Sequence, residues 1–195
     1  MENRILVIGD EMLGGAGEAA SRFAESLLCR LPNRPMQFSI NAPTTLSLAQ
    51  LLARSSADII GKRAGRIIFA LGLHELRRER GSGEKAFEGL QSLVFEMLRK
   101  TQAELFVLTL PPEMFPDDSM AVGEMNEAIR GMAAKDSERL KILDFAAQVE
   151  IFKEKQAERG KFARSLFAED GNPTSLCITF LSMFLEDCIL KELKI

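Results

Sequence analysis

The sequence contains no tryptophan and no tyrosine, and histidine occurs once, at position 74. Without Trp or Tyr the chain lacks the best stacking platforms for sugar rings, so a carbohydrate-binding role is disfavoured; the thirteen phenylalanines serve apolar contacts and the core. A single imidazole means that any chemistry needing a histidine base must be built around His74. Cysteine is scarce as well. Cys29, Cys177 and Cys188 form neither a CxxC pair nor a metal-ligand spacing. If the last two share one helix they lie roughly 16 Å apart at ~1.5 Å of rise per residue, too far to bridge. Long apolar runs are missing too. Ile5 to Ile8 is far short of a signal-peptide core, and Leu176 to Leu185 is about half a membrane span and stops at Glu186 and Asp187. No membrane span is expected, and the reading is cytoplasmic. A formal net charge of −3 disfavours a sequence-independent grip on nucleic acid.

What is present is ordinary in amount: 195 residues, 46% hydrophobic and 27% charged, enough to bury one core without disulfides or metals. One domain over residues 1–195 is expected. No repeat and no low-complexity linker interrupts it. Short apolar runs alternate with helical periodicity. Strands are predicted at "RILVIG" from Arg4, at Met36 to Asn41, Arg66 to Gly72, Glu104 to Leu110 and Leu140 to Phe145. Arg66 to Gly72 and Glu104 to Leu110 are continuously apolar, as central parallel strands covered on both faces should be. Helices are predicted at Glu18 to Arg30, Ser47 to Gly61, Glu84 to Lys100, Met120 to Ala134 and Thr174 to Leu193, the last capped by Thr174 or Ser175. The expected architecture is a three-layer α/β/α sandwich with a five-stranded parallel sheet, flavodoxin-like in class. Ligands of such sheets bind beyond the carboxyl ends of the strands. Attention therefore goes to Gly9 to Leu13, Asn41 to Ser47, Gly72 to Leu76 and the segment from Pro111.

Four stretches carry a resemblance. "VIGDE", "TLSLAQLLAR", "IIFALGLHEL" and "LFAEDGNPTS", in that order and at suitable distances, are similar to the blocks of the SGNH (GDSL-type) hydrolases, and the match runs nearly the length of the chain. The resemblance implies the SGNH-hydrolase fold and an esterase, lipase, deacetylase or acyltransferase ancestry. It implies a serine nucleophile on the first turn, a histidine base three residues after its aspartate before the last helix, and an oxyanion hole from the serine N–H, a glycine and an asparagine. Each of those side chains is replaced. Glu11 stands at the serine position, Thr45 at the glycine, His74 at the asparagine with Glu75 beside it, and Glu169-Asp170-Gly171-Asn172 at the block that should hold aspartate and histidine.

The chemistry points the same way without the family. Serine acyl transfer needs a hydroxyl within reach of a base that exchanges a proton near neutral pH. Asn172 carries an amide that cannot do so. Glu11 would set a negative charge where an ester oxygen becomes negative. The expectation is a protein inactive as an esterase, a pseudoenzyme that serves as a binding or interaction module for a protein partner or small ligand and needs no cofactor. The alternative is a hydrolase or acyltransferase with a non-standard site, in which Glu11 is nucleophile or base and His74 assists, the two forming an ion pair across neighbouring strand ends. A third possibility is a structural subunit that joins a partner through Phe180, Met183 and Phe184.

Minor features have bland readings beside sharper ones. Glu11 alone can be a solvated carboxylate at a helix start. Glu11, His74, Glu75, Glu169 and Asp170 are of types that bind a divalent ion, but no compact ligand spacing supports a metal site. "GAGEAA" (Gly15 to Ala20) matches a dinucleotide fingerprint but starts too far after the strand, so a flexible lead into the first helix is the expected role. "ELRRER" (Glu75 to Arg80) reads as a solvated mixed-charge face, or as a means of capturing an anion or an acidic surface through Arg77, Arg78 and Arg80.

Overall fold

A computed structural model describes residues 3–42, 47–78, 82–135, 138–160 and 164–194. Five strands, β1 (Arg4–Gly9), β2 (Gln37–Asn41), β3 (Arg66–Ala70), β4 (Glu104–Leu108) and β5 (Leu140–Leu143), form one sheet in the order β2-β1-β3-β4-β5. All four pairings are parallel, with Ile5 opposite Phe38 and Arg66, Ile67 opposite Leu105, and Leu105 opposite Leu140. After their first residues β1, β3 and β4 are buried without interruption, whereas the edge strand β2 has exposed residues. The continuous apolar runs follow from this: a strand with helices on both sides has no solvent face on which to place a polar residue.

The helices are α1 (Glu18–Arg30), α2 (Leu48–Ala53), α3 (Ser55–Asp58), α4 (Leu73–Arg78), α5 (Gly83–Lys100), α6 (Ser119–Met132), α7 (Phe145–Ala157) and α8 (Ser175–Glu192). Helix α1 packs on α8, and α5 packs on α2 and α6. Phe145 of α7 meets Phe180 and Phe184 of α8 at centroid distances of 5.7 and 5.4 Å. The apolar stripe of the last helix is thus largely consumed inside the molecule, though Met183 stays 58% exposed. Thr174 caps α8 by accepting the Cys177 N–H at 3.3 Å. All three cysteines are free, and no helix among the described residues is long and apolar enough to cross a membrane.

Three expectations need correction. The helix expected over Ser47 to Gly61 is broken into α2, α3 and a 3-10 turn at Ile60–Lys62, with Arg54 leaving helical geometry at φ −96° and ψ 3°. Ser55 and Ser56 follow that break, and serine's competition for backbone hydrogen bonds makes it a weak helix continuer. The fifth strand stops at Leu143, because Asp144 accepts the Ala147 N–H at 3.2 Å and caps a helix starting at Phe145. That helix, α7, and the short α4 were not expected. The fourth strand ends at Leu108; beyond it the Asn126 amide takes the place of a neighbouring strand, accepting from Leu110 N–H at 2.8 Å and donating to its carbonyl at 2.7 Å.

Candidate functional site

The strand order reverses between β1 and β3, which opens a crevice above their carboxyl ends. Asp10, one residue past β1, organises it. Its side chain is 2% exposed and accepts three backbone N–H groups: Met12 at 3.1 Å, Gly72 at 2.9 Å and His74 at 3.0 Å. The turn after β1 is thereby tied to the turn after β3. Burial pushes the Asp10 carboxyl above its ordinary value of 3.8, opposed by the His74, Met12 and Gly72 N–H groups. Gly72 can serve as a donor here because it takes φ +129°; a Cβ there would sit 2.3 Å from Met125 Cε. Asp10 was missed as a site residue, and its only sequence signal is an aspartate directly after a strand glycine, the pattern of an Asx turn.

Glu11 follows on a 3-10 turn, partly exposed, and its carboxylate pairs with the Arg77 guanidinium of α4. Among the described residues no ion pair joins it to His74, so the Glu11–His74 pair of the alternative reading is not formed. The reason is the helix: α4 starts at Leu73, so residue 77 stands one turn beyond 73 and reaches back to the first strand-end turn. His74 is half-buried and donates its backbone N–H to Asp10. Glu75 is 4% exposed and accepts the Leu48 N–H at 2.6 Å while pairing with Arg78 at 2.9 Å. It therefore anchors the first turn of α2 to α4. The expectation of a solvated face fails for Glu75 and Arg77, which make these contacts, and Arg80 lies outside the described residues.

The stretch before α8 turns back on itself. Asn172 donates its backbone N–H and its amide to Asp170 at 2.9 and 2.7 Å, and the backbone bond, the larger influence, holds the Asp170 carboxyl below its ordinary value. The Arg77 charge acts in the same direction. Glu169, Asp170 and Asn172 are all exposed. Gly171 is buried against the loop after β4. Asp170 and Arg77 then line an open cavity of about 550 Å³ with Met114, Phe115, Pro116, Asp117 and Asp118. Glu11, Arg77 and Asp170 thus belong to one neighbourhood. Thr45 lies outside the described residues. Among those described, no group of three or more His, Cys, Asp or Glu side chains is arranged to hold a metal ion.

No family model matches the sequence, and no curated protein matches it. Solved structures match its fold along nearly its whole length. A G-D-S-L-family lipolytic protein of Desulfitobacterium hafniense is 14% identical, with a TM-score of 0.72 over 95% of this chain and 99% of its own. A lipase/acylhydrolase of Enterococcus faecalis is 10% identical, with a TM-score of 0.73 over 98% and 97%. A variant of an acetyl xylan esterase of Geobacillus stearothermophilus is 17% identical, with a TM-score of 0.69 over 97% and 94%. The class defined by the fold is therefore the three-layer α/β/α sandwich. Within that class, the chain has the fold of the SGNH/GDSL esterases and lipases.

Proposed function

We propose that this protein is a catalytically silent version of the SGNH/GDSL fold that acts as a binding or interaction module, one domain working in the cytoplasm without a cofactor. The observation that carries the reading is the Glu11–Arg77 pair. At the position where the resemblance expects a neutral hydroxyl stands a carboxylate already neutralised by a guanidinium. For Glu11 to attack an ester it would have to leave that partner, and its charge would still oppose the oxyanion. The exposed Asp170–Asn172 turn supports the same reading: at the expected base position an amide is hydrogen-bonded to the preceding carboxylate. The acidic net charge of −3 supports a partner other than nucleic acid. The cavity beside Arg77 and Asp170 is the natural place for a small ligand or an inserted partner side chain.

The test is hydrolysis of a panel of p-nitrophenyl acyl esters, with and without divalent metals, by the wild type, Glu11→Ala and His74→Ala. No turnover above the variants' background is expected. Turnover that both substitutions abolish would replace this reading with a re-equipped hydrolase using Glu11 and His74.

A further inference from the structure

The opposite pole of the sheet holds a second cavity, also of about 550 Å³, at the amino ends of β3 and β4. Its apolar lining comprises the half-buried Ile60 and Ala64 beside the buried Ile59, Ile67 and Ala103. Its charged lining is cationic: Arg63, Arg66 and Lys100 against one carboxylate, Glu104. Arg66 is engaged by Glu104 at 2.8 Å and Lys100 by Glu96, so these two hold the rim in shape. Arg63 differs. It is exposed and takes part in no ion pair among the described residues. It also borders the neighbouring hollow formed by Asn3, Arg4, Pro35 and Gln37, where Arg4 spends its guanidinium on the Lys62 carbonyl and Gln37.

The backbone adds a further observation. Arg63 sits in the left-handed region at φ 50° and ψ 41°, where glycine is the usual occupant, and Gly65 is only two residues away. A long cationic side chain thus lines the cavity at a conformational cost. A volume of this size suits a small molecule, and an apolar lining beside the exposed Arg63 suits an apolar body ending in a negative charge.

We propose that this amino-pole cavity binds a free anionic amphiphile, a carboxylate with an apolar chain of medium length, with Arg63 receiving the carboxylate. The site is separate from the Glu11–Arg77 crevice, so it stands or falls independently of the function proposed above. The experiment is calorimetric titration of the full chain with sodium octanoate, beside 1-octanol, inorganic phosphate and phosphatidylglycerol vesicles. Saturable one-to-one octanoate binding is expected, weakened about tenfold by Arg63→Gln, a change of about 1.4 kcal/mol. Ala64→Leu, which narrows the cavity without changing its charge, should weaken it too. Thermal unfolding of both variants establishes that each is folded. The proposal is overturned by octanol binding as tightly as octanoate, by phosphate alone binding as tightly, by octanoate binding that ignores both substitutions, or by no octanoate binding. Binding to anionic vesicles without binding of free octanoate also overturns it, in favour of a membrane surface.

Discussion

Replacing Asp10 with alanine removes the acceptor that ties the β1 turn to the β3 turn, and the cost follows from what is left behind. Three backbone N–H groups, of Met12, Gly72 and His74, lose their partner in a site where the side chain is 2% exposed. Each orphaned buried donor costs about 1–3 kcal/mol. Part of that is recovered, because the wild type also bears the burden of burying a carboxylate, and because water can enter the space the side chain vacates. A net loss of about 3 kcal/mol is expected, which for a chain of this length corresponds to ~6–12 °C in Tm. Urea unfolding should show a lower midpoint with an unchanged slope. The pH dependence supplies an internal check. Because the folded-state carboxyl lies above 3.8, the folded form binds the extra proton, so Asp10's contribution is fully present below pH 3.8 and is lost as pH rises through its folded value. Asp10→Asn should lack that decline. A stability loss under ~0.5 kcal/mol for Asp10→Ala, the range of surface substitutions, would refute the idea that these donors depend on Asp10.

Gly171→Ala should cost about 1–3 kcal/mol in urea unfolding, since φ is +79° and the new Cβ would lie 2.8 Å from the Glu113 carbonyl oxygen and 2.9 Å from that of Met114. An unchanged midpoint would mean that this turn does not press on the loop after β4. Asp144 should show a pH dependence opposite in sign to that of Asp10. Burial would raise its carboxyl, but bonds from Arg130, Thr109 and the Ala147 N–H outweigh it and hold the value below 3.8. Its contribution is therefore present above pH 3.8 and lost as pH falls through the lower folded value. In urea titrations at neutral and acid pH, Asp144→Asn should lose less stability on acidification than the wild type; an equal loss would count against the assignment.

How far the fold could be read in advance depended on the type of interaction. β1, β3 and β4 announce themselves because burial on both faces forces a continuous apolar run. α8 announces itself through Thr174. α7 did not, since Asp144 and Phe145 read equally well as the end of a strand, and only the Ala147 N–H donated to Asp144 settles the matter. The crevice was legible as a location, but its internal pairing was not. Glu11 and Arg77 are 66 positions apart, and a salt bridge of that separation leaves no periodic trace in a sequence.

Composition and order alone determined the class of fold and that the chain holds a single histidine. Tertiary structure decided which neighbour each charge acquired: Arg77 rather than His74 for Glu11, the Leu48 N–H and Arg78 for Glu75, and the backbone of two turns for Asp10. The division has a physical cause. Burial is a property of each residue summed over a segment and so appears as pattern, whereas a hydrogen bond or ion pair is a property of two atoms that chain folding alone brings within reach.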